Sequence, residues 1–123
     1  MDESKDINDK SLSCLVVECY GIAKDHGWWD DSSAPINFPE KLALIHSEVS
    51  EALEEYRNAK HPIGELYFSG DDKKPEGVPA ELADVLIRIF DLCGHYGIDL
   101  EDAVDKKMRY NNTRPFRHGG KRA

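Results

Sequence analysis

The sequence predicts an all-α fold with four main helices. Apolar residues recur at helical spacing in four separate stretches, and glycine or proline residues lie near the ends of those stretches. Only one short segment, residues 65–68, has the character of a strand. With 123 residues and 40% hydrophobic content, the chain is long enough for one domain and too apolar to be disordered throughout. We therefore expect a single domain over residues 1–123, with a core over about 11–111 and a basic arm over 112–123.

Capping residues and helix breakers set the predicted helix boundaries. Pro39 and Pro79 suit the first turn of a helix. Gly97 suits a helix end, and Asp99 suits an N-cap. The predicted helices are residues 11–24, 39–58, 79 to 95 or 96, and from the Asp99 cap to about 110. The stretch between the second and third helices, residues 60–78, is rich in proline, glycine and aspartate and predicts a long loop.

The third predicted helix is apolar over an unusually wide arc. At about 100° per residue, the arc spans roughly 160° of the helix surface. Its members are Leu82, Val85, Leu86, Ile89, Leu92, Cys93 and Tyr96. One neighbouring helix does not cover so wide an arc, so this helix needs apolar contacts on two sides. We therefore expect a helical bundle completed by oligomerisation.

Charge is distributed unevenly along the chain. The chain has 24 acidic and 16 basic residues, which gives a net charge of −8. From residue 106 onward there are seven cations and no acid, namely Lys106, Lys107, Arg109, Arg114, Arg117, Lys121 and Arg122. Subtracting these seven cations from −8 leaves −15 for residues 1–105. This division predicts an anionic ligand held between carboxylates and cations, or alternatively a solubilising or nucleic-acid-binding tail.

Several kinds of protein are excluded by what the sequence lacks. No run approaches the ~18 apolar residues that a membrane-spanning helix needs, so we expect no membrane partner. The three cysteines are widely spaced and form no CxxC pair, which disfavours a disulfide framework or a zinc site and favours a reducing cytoplasm. The sequence also has no GxGxxG or GxxxxGK phosphate-binding loop.

Two pairs of carboxylates flank the apolar faces of the second and third helices. Glu48 and Glu51 lie on one helix, and Glu81 and Asp84 lie on the other. If the helices pack along these faces, the four carboxylates converge and repel one another unless a cation lies among them. Oxygen ligands favour Mg²⁺ or Mn²⁺ over zinc. The alternative is a solvated acidic surface. In either case Arg88 is expected to pair with the acids, because it lies four residues after Asp84.

The run EVSE at 48–51 and the run ELAD at 81–84 resemble the paired ExxE and ExxD motifs of the all-α nucleotide pyrophosphohydrolases, with the MazG-like branch the most similar. That superfamily also includes dimeric dUTPases and phosphoribosyl-ATP pyrophosphohydrolases. The similarity covers roughly residues 25–121 and continues through GIDLEDAVDKKMRYNNTRPF. The 60–78 connection between the motifs departs from the family, because it lies near or beyond the upper end of the usual length.

The resemblance implies a role for each residue that matches the family pattern. The implied Mg²⁺ ligands are Glu48, Glu51, Glu81 and Asp84, and Glu48 or Glu51 would orient or deprotonate the attacking water. The implied phosphate contacts are Lys107, Asn111 and Arg114, with Tyr110 and Lys121 as further candidates. One of Trp28 and Trp29 would stack on the base, although a tryptophan there is as often a core residue between helices. The resemblance also implies a homodimer or a homotetramer.

The implied reaction is Mg²⁺-dependent hydrolysis of a nucleoside or deoxynucleoside triphosphate between its α and β phosphates. The products are the nucleoside monophosphate and pyrophosphate. The same fold also suits dUTP or phosphoribosyl-ATP as substrate. A non-catalytic helical module with a nucleic-acid-binding tail is the alternative from another class, but the acidic body would repel a polyanion everywhere except at the tail.

Overall fold

The computed structural model describes residues 6–30, 38–58 and 60–123 of the chain. Four helices make up most of this part, which confirms the predicted all-α class with four main helices. The elements in order are a 3-10 turn Ile7–Asp9, α1 Leu12–Asp25, α2 Phe38–Arg57, β1 Tyr67–Ser69, β2 Lys74–Glu76, α3 Val78–Tyr96, α4 Leu100–Thr113 and the single turn α5 Arg117–Gly120. Most of the polar connection between α1 and α2 lies outside the described residues. No helix in the described ranges is long and apolar enough to cross a membrane.

Three helix ends are set by residues close to them in the sequence, and two of these residues, Gly97 and Asp99, are the predicted ones. The Ser11 side chain accepts a hydrogen bond from the Cys14 amide at the start of α1. The Asp99 side chain accepts one from the Asp102 amide at the start of α4. Gly97 adopts the left-handed conformation after α3, with φ of 67°, which favours glycine. Local sequence therefore sets these ends.

Helix α3 lies at the centre of the fold and packs against both α1 and α2. On the α1 side, Val16 packs with Phe90 and Cys93 in the buried core, and Leu100 from the start of α4 also contacts this cluster. The apolar arc of α3 is wide because the helix has neighbours on two sides. The groove above α3, between α1 and α2, holds the candidate site.

The predicted loop over residues 60–78 contains an antiparallel hairpin. The predicted extended piece, residues 65–68, overlaps β1, whereas β2 was not expected because it contains Pro75. Proline is tolerated there because the sheet has two strands and each is an edge. The Tyr67 hydroxyl donates a hydrogen bond to Glu55 on α2, and this bond raises the pKa of Tyr67 to about 12. The hairpin is thus attached to α2.

Helix α4 contacts the bundle through its first turn. Leu100 packs on the core, and Glu101 accepts a hydrogen bond of 3.3 Å from the Ser13 amide. The side chains of residues 105–113 are exposed. The predicted arm begins at residue 112, but α4 continues to Thr113, so the arm begins two residues later than expected. Beyond α4, α5 is one irregular turn in which His118 and Gly119 have positive φ.

Candidate metal centre and adjoining cavity

Helices α2 and α3 bring three glutamates together. Glu48 and Glu51 are one turn apart on α2, and Glu81 lies in the first turn of α3. One carboxylate oxygen from each of the three lies within 4.8 Å of the others. Glu48 is buried, Glu81 is half-buried and Glu51 is exposed. The spacing of three residues puts both α2 carboxylates on one face, and the packing of α2 on α3 brings the third to them.

Glu81 has an unsatisfied buried oxygen. Its Oε2 atom has no hydrogen-bond partner, although solvent does not reach it. Burial raises the pKa of Glu81, and the negative charges of Glu51 and Asp84 raise it further. An orphaned buried oxygen is unfavourable unless a donor or a cation satisfies it. Because the three side chains supply only hard oxygen ligands, the cluster fits a divalent cation such as Mg²⁺ or Mn²⁺.

Asp84, the fourth predicted ligand, lies beside this cluster and not within it. Among the described residues, the group of converging ligand atoms contains the three glutamates alone. The Asp84 side chain is one methylene shorter than glutamate, and it is exposed at the wall of the adjoining cavity. Burial and the negative charge of Glu48 raise the pKa of Asp84, while Arg88 lowers it. Asp84 is therefore an electrostatic neighbour of the cluster.

Arg88 is bonded to the most buried glutamate of the cluster. Its Nε atom donates a hydrogen bond of 2.7 Å to Glu48 Oε1, across the interface between α3 and α2. The sequence suggested Asp84 as the partner of Arg88, at the i, i+4 spacing within α3. The structure instead gives a cross-helix ion pair, because Glu48 is buried at that interface and its side chain is only 10% exposed. The sequence had not assigned Arg88 to the site.

A cavity of ≈ 540 Å³ lies next to the glutamates, in the groove between α1, α2 and α3. The α1 side and the turn after it contribute Cys19, Ile22, Ala23, His26 and Trp28. The other side contributes Glu48, Asp84, Ile87, Arg88 and Asp91. The cavity therefore has a mainly apolar end and a charged end, an arrangement typical of small-molecule sites. The i, i+4, i+7 spacing of Asp84, Arg88 and Asp91 was the sequence signal for the charged wall.

The two adjacent tryptophans have different environments. Trp28 is 69% exposed and lines the cavity. Trp29 is buried: the His95 ring stacks on it at 3.8 Å between centroids, and Lys41 Nζ lies 4.3 Å from its centroid. Both faces of Trp29 are occupied, because two groups this close to the centroid cannot share one face. Its Nε1 donates a hydrogen bond to Asp91. Trp29 is thus a core residue, and Trp28 keeps an open face.

The predicted phosphate contacts form a separate group in this chain. Lys107 Nζ and Arg114 Cζ lie 5.4 Å and 5.6 Å from the centre of the Tyr110 ring. Asn111 and Lys121 are exposed. The cavity lining, as far as the described residues show it, includes none of these five. They are apart from the cavity because α4 leaves the bundle after its first turn, which helical spacing alone does not reveal.

Comparisons of the chain with protein-family models, with curated proteins and with solved structures gave no match.

Proposed function

We propose that this chain is a Mg²⁺-dependent nucleoside triphosphate pyrophosphohydrolase that cleaves between the α and β phosphates. The observation that supports it is the cluster of three glutamate oxygens within 4.8 Å of one another, one member of which, Glu48, also lines a ≈ 540 Å³ cavity. The orphaned buried oxygen of Glu81 supports a cation at that point. The reaction type comes from the resemblance of the EVSE and ELAD runs to the MazG-like motifs.

In this proposal Glu48, Glu51 and Glu81 would hold the metal, with Asp84 beside them. Bound there, Mg²⁺ would neutralise the triphosphate, polarise the phosphorus and lower the pKa of a water. Of the two candidate bases, Glu51 is better placed to orient or deprotonate that water. It is exposed to solvent, whereas Glu48 is buried and bonded to Arg88.

The opposite end of the cavity would receive the nucleoside. Trp28 offers an exposed ring at this end, with Ile22 and Ala23 beside it on the lining. An aromatic face and aliphatic neighbours suit a planar base, which stacks on such rings. Trp28, and not Trp29, is therefore the proposed stacking residue. Stacking on Trp28 selects no particular base, so dUTP and phosphoribosyl-ATP remain alternative substrates.

A homodimer or homotetramer is part of the proposal. Large apolar side chains on α2 and α3 are more than half exposed, namely Val49, Leu53, Leu82 and Leu86. Patches of this kind are typical of interaction surfaces. A second copy would cover them and bring a basic arm toward the phosphate end of the cavity.

The test is hydrolysis of a panel of nucleoside triphosphates with Mg²⁺, with the products separated by chromatography. We expect a monophosphate and pyrophosphate in equal amounts. Glu51→Gln should remove most turnover, whereas Glu54→Gln, an exposed α2 residue paired with Arg57, should keep it. Cleavage of dUTP alone would assign the chain to the dUTPase branch. Inactivity of the folded protein on every nucleotide would refute the proposal and favour the nucleic-acid-binding module.

A further inference from the structure

Arg88 is bonded to one of the three glutamates proposed to hold the metal. Its guanidinium donates to Glu48 Oε1 at 2.7 Å, and Glu48 is one of the three residues whose ligand atoms converge. Arg88 is also on the cavity lining, between the glutamates and the apolar end, and its side chain is 39% exposed. It can therefore reach both Glu48 and the cavity interior.

A cation in this position must oppose metal binding. A guanidinium in contact with Glu48 neutralises part of the negative charge that attracts Mg²⁺, and it occupies a lone pair on a candidate ligand oxygen. We therefore expect a metal that takes Glu48 as a ligand to weaken this ion pair and to favour displacement of Arg88. Once displaced, the guanidinium would lie in the cavity without its carboxylate partner, next to the position proposed for the triphosphate, and guanidinium groups bind phosphate through paired hydrogen bonds.

We propose that Arg88 is an internal counter-cation of the metal centre, which competes with the metal for Glu48 and binds a substrate phosphate once it is displaced. The inference rests on the proposed function, because it needs both a metal and a phosphate ligand. It couples the two ligands: the metal releases Arg88, and the released Arg88 strengthens phosphate binding. Without metal, Arg88 stays bonded to Glu48, and the affinity of the cavity for phosphate is low.

The test measures Mn²⁺ and inorganic pyrophosphate binding by calorimetry, so that neither the unknown base nor turnover is involved. Arg88→Gln should bind Mn²⁺ about fivefold or more tightly than the wild type. At saturating Mg²⁺, the same variant should bind pyrophosphate about tenfold more weakly, because it lacks a charge-assisted contact. Arg57→Gln removes an equal charge from an exposed pair on α2 and should match the wild type in both titrations.

The outcomes separate this inference from the proposed function. If the wild type binds no Mn²⁺, both are refuted. If it binds Mn²⁺ and Arg88→Gln binds equally or more weakly, only the competition is refuted. Tighter Mn²⁺ binding with unchanged pyrophosphate binding would refute the phosphate contact. If Arg57→Gln gains as much Mn²⁺ affinity as Arg88→Gln, the gain is a general effect of net charge and the competition is refuted. Should Arg88→Gln lose helicity, Arg88→Met provides the same comparison with the length of the stem kept.

Discussion

Removing the charge of Glu81 should have opposite effects on the metal-free and metal-bound protein. In the metal-free protein, the converging oxygens of Glu48, Glu51 and Glu81 repel one another. Glu81→Gln removes two of the three repulsions while keeping the size of the side chain. With metal present, the same change removes a ligand. We therefore expect the variant to be more stable than the wild type in EDTA and to gain less from Mg²⁺.

The size of the effect follows from the separation of the oxygens. Two unit charges 4.8 Å apart repel by about 0.9 kcal/mol in water and about 3.5 kcal/mol at an effective dielectric constant near 20. Because Glu51 is exposed to solvent, the low end applies. We expect a gain of about 1–2 kcal/mol in EDTA, or roughly 4–8 °C in Tm. Metal at tenfold its Kd adds about 1.4 kcal/mol to the wild type, and a tenfold weaker site gains only about 0.4 kcal/mol.

The pH dependence has a defined sign. Burial and Glu51 raise the pKa of Glu81 above its ordinary 4.5, so the folded state binds the proton more tightly than the unfolded state. Stability from this group is therefore complete below 4.5 and is lost as the pH rises through the raised pKa. The advantage of Glu81→Gln in EDTA should be larger at neutral pH than near pH 5. Added metal should oppose this loss, since protons and metal compete for the same carboxylates.

Thermal melts of the wild type, Glu81→Gln and Glu54→Gln, each in EDTA and in Mg²⁺, provide the measurement. Glu54→Gln changes the charge by the same amount on the exposed side of α2 and should follow the wild type. A Glu81→Gln protein that is less stable than the wild type in EDTA and gains as much from Mg²⁺ would refute the reasoning. The three glutamates would then not form a cation site.

Four further substitutions test other parts of the chain. In steady-state kinetics, Trp28→Ala should raise KM for the nucleotide several-fold, and in thermal melts it should leave Tm unchanged. Trp29→Ala should instead lower the free energy of unfolding by about 3–5 kcal/mol. Equal melts for the two would contradict the division between them. Arg114→Ala should lower kcat/KM about tenfold with no change in Tm, and unchanged kinetics would make the arm a solubilising tail. Gly77→Ala should lower Tm by several degrees, because Gly77 has φ of 107° and a Cβ there would lie 2.6 Å from the Glu65 carbonyl oxygen; an unchanged melt would contradict this.

Features fixed within one helix were predictable from the sequence. The spacing of 3.6 residues per turn puts Glu48 and Glu51 on one face, and the caps at Ser11 and Asp99 depend only on nearby residues. Their helices accordingly begin within a residue of the expected positions. The convergence of Glu81 with the α2 pair was also predicted, since both helices have carboxylates beside their apolar faces.

Several features that depend on the relative placement of helices were not predicted. The partner of Arg88 is set by the rotation of α3 against α2, so the i, i+4 rule gave Asp84 where the structure gives Glu48. The same holds for the tryptophans, because Trp29 differs from Trp28 through its contacts with Lys41, Asp91 and His95 on other elements. The course of α4 away from the cavity is set by contacts at its first turn, which leave no signal in its later residues.

The hairpin between α2 and α3 has a consequence for insertions and deletions in this chain. Tyr67 and Glu76 are paired across the two strands, and such partners are separated by about 5 Å between Cα atoms. The chain therefore turns back after Tyr67 and, at Glu76, lies beside it again just before α3 begins. A change in the number of residues between Tyr67 and Glu76 leaves the start of α3 in place. The number of residues between the two acidic motifs is thus independent of the distance between their carboxylates, and chains of quite different length can retain one cluster of carboxylates.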